Sequence, residues 1–256
     1  MKILITGGLS GLGFSVAKCL SLKGHIVYLG VRTKKEEDYL NEKLKREKLI
    51  MFPLVLDLTT NNYTIPSDID ILYLNASIGK GGSVLELNSN YLTDTFNVNI
   101  LGNVRLIKKY LENRKKGRIV ITSSLAGFLP LPYLYSYTYT KLSLYHLANT
   151  LRLECLYQGL DVRITTILPG AYYTGFNQVM IDNKDKSDFV YEAKALKMTK
   201  YQHLLFDLIE KKDLTKFAKI VSKKITKEKP PFIISIPLEQ YLFTKLYLLI
   251  NWLLFL

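Results

Sequence analysis

Cysteine and histidine are scarce in this chain of 256 residues, which has two of the first and three of the second. Cys19 and Cys155 fall in separate helical patterns, with no C-x-x-C pair and no His/Cys cluster. A disulfide framework and a tetrahedral metal site are therefore excluded as organising devices, and both cysteines read as small buried hydrophobes in a reducing compartment. His25, His146 and His203 are scattered and form no ligand pattern, so no metal is expected. Arginine is also sparse. The net charge of +13 is carried by 28 lysines and only 7 arginines. Readout of base edges leans on arginine, so nucleic acid is not an expected partner. Residues 184–229 hold 13 lysines against 7 acids. Solvated helix faces account for that excess, while attraction to an anionic membrane stays open. Repeats, low-complexity runs and an internal linker are all absent, which argues for one domain over 1–240. The strand pattern Ile3-Leu4-Ile5 begins almost at residue 1, so no signal or transit segment is expected. The expected location is cytoplasmic.

What is present alternates between two periods. An apolar strand, Lys2–Thr6, runs into Thr6-Gly7-Gly8-Leu9-Ser10-Gly11-Leu12-Gly13 and then a helical pattern. In that order, backbone N–H groups and a helix N-terminus are placed to receive a pyrophosphate. Gly7 suits the tight turn, Gly11 the approach of phosphates, and Gly13 close packing of helix on strand. A second strand, Ile26–Val31, ends at Arg32, followed by Thr33-Lys34-Lys35. A carboxylate here would suit the ribose hydroxyls of NAD; a guanidinium suits the 2′-phosphate of NADP.

A charged helix over about 35–48 leads to strands at Met51–Leu56, which ends in Asp57-Leu58, and Ile69–Leu74, which ends in Asn75-Ala76-Ser77. Small polar residues at such strand ends form the ligand rim of a parallel sheet. A helix over about 90–113 contains Asn99 and Gly102, both costly there, which predicts a kink or a function at Asn99.

The centre of the chain is Tyr137 and Lys141. At i and i+4 they share one helix face, and an ammonium beside a phenol is expected to draw the tyrosine pKa below about 10. Such a phenol is a general acid or base. The spacing recurs at Tyr39–Lys43 and Tyr241–Lys245, which read as surface pairs. Only Tyr137 lies thirteen residues after a serine, Ser124, at the end of a buried-strand pattern, 118–122. Its helix continues to about Tyr157, with Leu142, Tyr145, Ala148, Leu151 and Cys155 as the inward stripe.

A sixth strand, Val162–Leu168, ends in Pro169-Gly170 and reaches Thr174. Residues 175–200 read as a lid in which Phe176, Met180 and Phe189 touch an apolar substrate. A basic helix over about 203–226 precedes a seventh strand, Phe232–Ile236, and an apolar helix closes the chain at 241–256. That tail is shorter than the ~20 apolar residues of a membrane span.

Together these motifs resemble the short-chain dehydrogenase/reductase family from Lys2 to about Thr174, and more loosely to Ile236. The glycine motif matches at Thr6, Gly7, Gly11 and Gly13. The family's Asn-Asn-Ala-Gly element stands as Leu74-Asn75-Ala76-Ser77, departing at two positions. The resemblance implies a Rossmann-type, doubly wound parallel sheet of about seven strands. It also implies a catalytic tetrad of Asn99, Ser124, Tyr137 and Lys141. NADP(H) contacts would come from Gly7, Ser10, Gly11, Leu12, Gly13, Arg32, Asp57, Leu58, Asn75, Ala76, Tyr137, Lys141, Pro169, Gly170 and Thr174. Tyr137 would protonate a carbonyl oxygen and Ser124 would donate a hydrogen bond to it. Lys141 would hold the nicotinamide ribose, and Asn99 would fix a water leading from Lys141 to solvent.

Two further readings stand beside this NADP-dependent oxidoreductase of an apolar carbonyl or alcohol. One is a nucleotide sensor on the same fold; the retained Tyr and Lys argue against it. The other is a membrane-associated lipid or ketoacyl reductase. The tail is expected to pack a homodimer or tetramer first and to make peripheral membrane contact second.

Overall fold

Alternation along the first strand decides which residue meets which layer. In β1 (Lys2–Thr6), Ile3 and Ile5 enter one apolar cluster and Leu4 the other, all three fully buried. A strand buried on both faces belongs inside a parallel sheet. The computed structural model describes residues 1–85, 88–182 and 192–254. In it β1 is joined by β2 (Ile26–Val31), β3 (Phe52–Val55), β4 (Ile71–Leu74), β5 (Lys116–Thr122), β6 (Asp161–Pro169) and β7 (Ile233–Ile236). All neighbours are parallel, in the order β3-β2-β1-β4-β5-β6-β7. This is the expected doubly wound α/β sheet.

One face is covered by α1 (Gly11–Ser21), α2 (Lys34–Glu47) and α8 (Thr215–Ile225), through Val16, Leu20, Leu40, Phe217 and Val221. The other is covered by α4 (Asn103–Leu111) and α5 (Tyr135–Tyr157), through Leu106, Tyr110, Leu144 and Ala148. The chain leaves β1 for β2 and β3 on one side, then returns to place β4 on the other. That reversal opens a crevice at the carboxyl ends of β1 and β4, where ligands of such sheets bind.

Several expected elements are redrawn. The helix over 90–113 is three pieces: α3 (Ser89–Phe96), a π-helical segment Asn97–Gly102, and α4. The interruption falls on Asn99 and Gly102, the two residues that disfavour a regular helix. On α5 the buried stripe is Lys141, Leu144, Ala148 and Cys155, while Leu142 and Tyr145 are half-buried. Tyr145 instead meets the Phe128 ring edge-on at 5.0 Å. Cys155 is buried as expected; Cys19 is only half-buried, its Sγ 3.1 Å from the Ser222 hydroxyl.

The basic stretch 203–226 is not one helix but the end of α7 (Glu192–Ile209) and α8. Between them, Lys211 N–H donates to the Ala171 carbonyl and its own carbonyl accepts from Tyr173 N–H. Pairing with a loop 40 residues away has outcompeted local helix propensity. The Asp213 carboxylate then accepts from Thr215 N–H at 2.7 Å and starts the next helix. The terminal helix, α9 (Leu238–Leu254), begins three residues before the expected 241. Among the described residues no helix is long and apolar enough to cross a membrane.

Candidate active site

A cleft of about 1070 Å³ follows the carboxyl edge of the sheet, and every residue expected at the site lines it except Gly13 and Asn99. Its floor is tied together at the switch point. Gly7 turns the chain at φ +66, a backbone state that favours glycine. The buried Thr6 hydroxyl accepts N–H bonds from Asn75 (2.9 Å) and Ala76 (3.0 Å), and the Asn75 amide donates to the Gly7 carbonyl (3.3 Å). Ser10, before α1, makes no side-chain cap, and the first turn carries no acid, which leaves the helix N-terminus open. The Ser77 hydroxyl is buried in the cleft wall with no hydrogen-bond partner among the described residues. Open N–H groups and a spare hydroxyl fit the phosphates and sugars of a dinucleotide.

At the far end, Arg32 is where the sequence places it, but it is not alone. Its guanidinium lies 3.7 Å from Glu36, whose carboxylate also accepts the Arg32 backbone N–H at 2.7 Å. Thr33 in turn accepts Glu36 N–H, so Thr33-Lys34-Lys35-Glu36 forms half of a capping box at the start of α2, the returning bond going to Arg32 N–H. That four-residue signature was readable, yet Glu36 was not among the expected site residues. Lys34 is turned away to Glu37 and Asp38. Asp57 holds Thr59 through two bonds, 2.9 and 2.8 Å, and Leu58 beside it gives its carbonyl to Arg105 at 2.5 Å.

Asn99 sits behind the cleft rather than in it. Its amide donates to the Ile78 carbonyl (2.8 Å) and the Thr140 hydroxyl (3.0 Å), and its oxygen accepts Ile78 N–H (2.9 Å). Side-chain capacity is thus committed to fixing the strand end after β4 and the helix that carries Tyr137. The Asn99 carbonyl, displaced from regular pairing by the π segment, accepts from the Asn103 amide at 2.6 Å. Gly102 makes this geometry fit: a Cβ there would stand 2.6 Å from the Leu58 carbonyl oxygen. We expect Gly102→Ala to cost about 1–3 kcal/mol in a urea melt, the usual range for overpacking. An unchanged midpoint would mean that the segment yields freely.

Ser124, Tyr137 and Lys141 meet in the middle of the cleft. Ser124 lies just beyond β5; its hydroxyl contacts the Pro169 carbonyl at 3.3 Å and accepts Ala126 N–H at 3.1 Å. Lys141 is 3% exposed, with Nζ 3.2 Å from the Thr122 carbonyl and 5.4 Å from the centre of the Tyr137 ring. The buried Ser123 hydroxyl donates to the Lys141 carbonyl and locks α5 to β5.

The electrostatics differ from the sequence expectation. Burial pushes the Lys141 amine down to about 7 and the Tyr137 phenol up to about 12, the latter partly opposed by Ser124. A lysine this desolvated is largely uncharged above neutrality, so it cannot by itself draw the phenol down. The other two Tyr/Lys spacings are peripheral: Tyr39 is 52% exposed, and Lys245 hovers 5.7 Å over the ring of Tyr241 on α9.

The last wall is the Pro169–Thr174 loop, held by a residue that the sequence reading missed. Gln240 of α9 accepts Ala171 N–H at 2.7 Å and donates to the Ile209 carbonyl at 2.8 Å. Of the expected lid contacts, Phe176 packs on Tyr137 with ring centres 5.4 Å apart. Phe189 lies outside the described residues. Met180 is not open to the cleft: it is 1% exposed, wedged beside Gly79, Leu134 and Ile181. Val179, the preceding residue of α6 (Phe176–Asp182), lines the cleft in its place and is 56% exposed.

The family model described as short chain dehydrogenase matches residues 1–185. A 3-ketodihydrosphingosine reductase of Bacteroides thetaiotaomicron is 28% identical over 262 aligned positions, covering 95% of this chain and 90% of that protein. A short chain dehydrogenase/reductase from Burkholderia phymatum, solved in complex with NAD, superposes with a TM-score of 0.78 at 18% identity, covering 95% of this chain and 91% of that one. A short-chain dehydrogenase from Sphingobium yanoikuyae in complex with NADPH gives 0.70 at 22%, covering 93% and 88%. At these identities the two structures attest the fold.

Proposed function

The chain belongs to the short chain dehydrogenase family of oxidoreductases, and on that footing we propose that it reduces a carbonyl on an apolar, lipid-like substrate with NADPH. The observation that carries this reading is the convergence of Ser124, Tyr137 and Lys141 on one cleft. Bound NADPH would supply the hydride. Tyr137 gives its proton to the carbonyl oxygen, and Ser124 donates a hydrogen bond to that oxygen as charge develops. Lys141 donates to the ribose hydroxyls, contacts that favour its charged form and so bring an ammonium beside the phenol. Asn99 is a positioning residue: it holds Ile78 and Thr140, and through them the wall and the helix. The expected water path through its amide has little capacity left to use.

The open α1 terminus with Gly7, Ser10, Gly11 and Leu12 takes the pyrophosphate, and Gly13 keeps that helix close to its strand. Asp57, Leu58, Asn75 and Ala76 border the adenosine half; Pro169, Gly170 and Thr174 border the nicotinamide. Phe176 and Val179 make the substrate side apolar. The lipid reading draws further support from the name of the Bacteroides relative, a 3-ketodihydrosphingosine reductase. A screen of carbonyls that includes 3-ketodihydrosphingosine, following NADPH absorbance, tests it. Long-chain ketones are expected to turn over best, and oxidation of NADPH by no carbonyl would defeat the assignment.

Cofactor choice rests on Arg32, and Glu36 tempers it. Replacing Arg32 by Asp removes a charge-assisted bond worth about 1.5–3 kcal/mol, so NADPH affinity should fall roughly ten- to hundredfold with NADH little affected. Glu36→Gln should instead tighten NADPH a few-fold, as expected on relieving a surface pair worth about 0–1 kcal/mol. Dissociation constants for both cofactors decide the matter; equal values in the unmodified protein would remove Arg32 from the role.

A further inference from the structure

The terminal helix α9 is amphipathic in the reverse sense. At about 100° per residue, Gln240, Thr244, Tyr247 and Asn251 fall on one side, and that polar side faces the protein. Thr244 is the one buried residue of the helix, Gln240 holds the Ala171 and Ile209 backbone, and Tyr247 and Asn251 are half-buried. The outward arc carries Leu242, Phe243, Leu246, Leu249, Ile250 and Leu253, each between 46% and 63% exposed.

A second exposed apolar strip lies on α7, the helix whose last carbonyl α9 holds. On α7, Tyr201, Leu204 and Leu208 share a face and are 59%, 70% and 82% exposed. The two helices join where Gln240 reaches the Ile209 carbonyl and where Lys211 pairs with Glu239 at 2.8 Å. So large an apolar surface marks an interaction site.

We infer that this α7–α9 face docks on an anionic lipid bilayer, with α9 lying in the interfacial plane. Charge selects the occupant. The chain carries +13, and among the described side chains exposed Lys194, Lys197, Lys200, Lys211, Lys212 and Lys245 outnumber the exposed acids Asp207, Asp213 and Glu239 on these helices and the 210–214 connector. A second copy brings the same lysines and is repelled, whereas an anionic surface is complementary. The rim of the apolar arc agrees: Tyr247 borders one edge, and Trp252 and Lys245 border the other. These side chains combine an apolar body with a polar tip, as interfacial residues do. Among the described residues α9 is not long and apolar enough to cross a membrane, and Gln240, bonded to the Ala171 and Ile209 backbone, holds it to the domain with Thr244 buried beneath. The inference goes beyond the proposed reaction and does not depend on the substrate.

Co-sedimentation with phosphatidylcholine vesicles, with and without phosphatidylglycerol, tests it on the full chain without substrate. Binding is expected to the anionic vesicles, to weaken at high salt, and to be lost in Leu246→Glu/Leu249→Glu. Both positions are solvent-exposed, so NADPH affinity and the unfolding midpoint should stay as in the unmodified protein. Lys197→Glu and Lys200→Glu, which leave the apolar face intact, should each weaken binding at least roughly fivefold. Failure to bind anionic vesicles at low salt overturns the inference. So does equal binding to neutral vesicles, or a dimer in sedimentation velocity that Leu246→Glu/Leu249→Glu dissolves while vesicle binding is absent. Absence of ketone reduction would leave this result untouched and count only against the proposed reaction.

Discussion

Tyr137→Phe is expected to lose about 10²–10⁴-fold in kcat while NADPH binding and the unfolding midpoint change little. The substitution removes one oxygen from a half-buried ring and keeps the ring's contact with Phe176. Only the proton donor is lost, so the effect belongs in kcat and not in cofactor affinity. With its phenol held up at about 12, Tyr137 stays protonated across the physiological range, as a donor in the reducing direction must. The reverse reaction needs the phenolate and should accelerate with pH well above neutrality. A mutant with unmodified kcat on its best ketone would take Tyr137 out of the acid role.

Lys141→Met is expected to abolish turnover and yet make the cofactor-free protein more stable. Burial without an acid partner holds the amine at about 7, against an ordinary 10.5. The folded chain therefore refuses a proton that the unfolded chain accepts between those two values. Stability should fall as pH drops from about 10.5 to about 7 and level off below. Each tenfold lowering corresponds to about 1.4 kcal/mol, so the penalty at neutrality is on the order of a few kcal/mol. Methionine has a similar shape and no charge, and its variant should lack the slope. Urea melts of both proteins across that pH window provide the comparison; a flat profile for the unmodified chain, or a less stable variant at neutrality, would mean that Lys141 is solvated. Such a lysine is tolerated because ribose hydroxyls give it partners when cofactor binds, a stability cost of the kind concentrated at functional sites.

What could be read from the sequence was local. The glycine turn, the strand ends at Asn75 and Ser124, and the Tyr137/Lys141 pair each follow from short spacings tied to periods of 2 and 3.6. The strand positions follow from the same alternation, while their parallel pairing in one sheet comes from the resemblance. What escaped depends on contacts between distant segments. Gln240 lies 69 residues from the Ala171 N–H it accepts, and no spacing rule spans that distance. The break between α7 and α8 comes from pairing of Lys211 with the 171–173 loop, which a helical pattern cannot register. Periodicity put Leu142 and Tyr145 inward, but the sheet took the neighbouring row through Leu144. The pKa of Tyr137 runs opposite to expectation because spacing reveals a neighbouring lysine and not the loss of solvent around the pair.

The π segment Asn97–Gly102 carries one more consequence. Its wider turn holds about one residue more than an α turn, so it acts as a single residue threaded into an otherwise regular helix. Removing one residue there would restore the regular ladder and rotate everything before it by about 100° relative to α4. Leu106 and Tyr110 would keep their seats on the sheet, but Asn99 would swing away from Ile78 and release the cleft wall. At this point the number of residues in the helix matters as much as their chemistry, and a shortening that deletes no side chain of the site would still dismantle it.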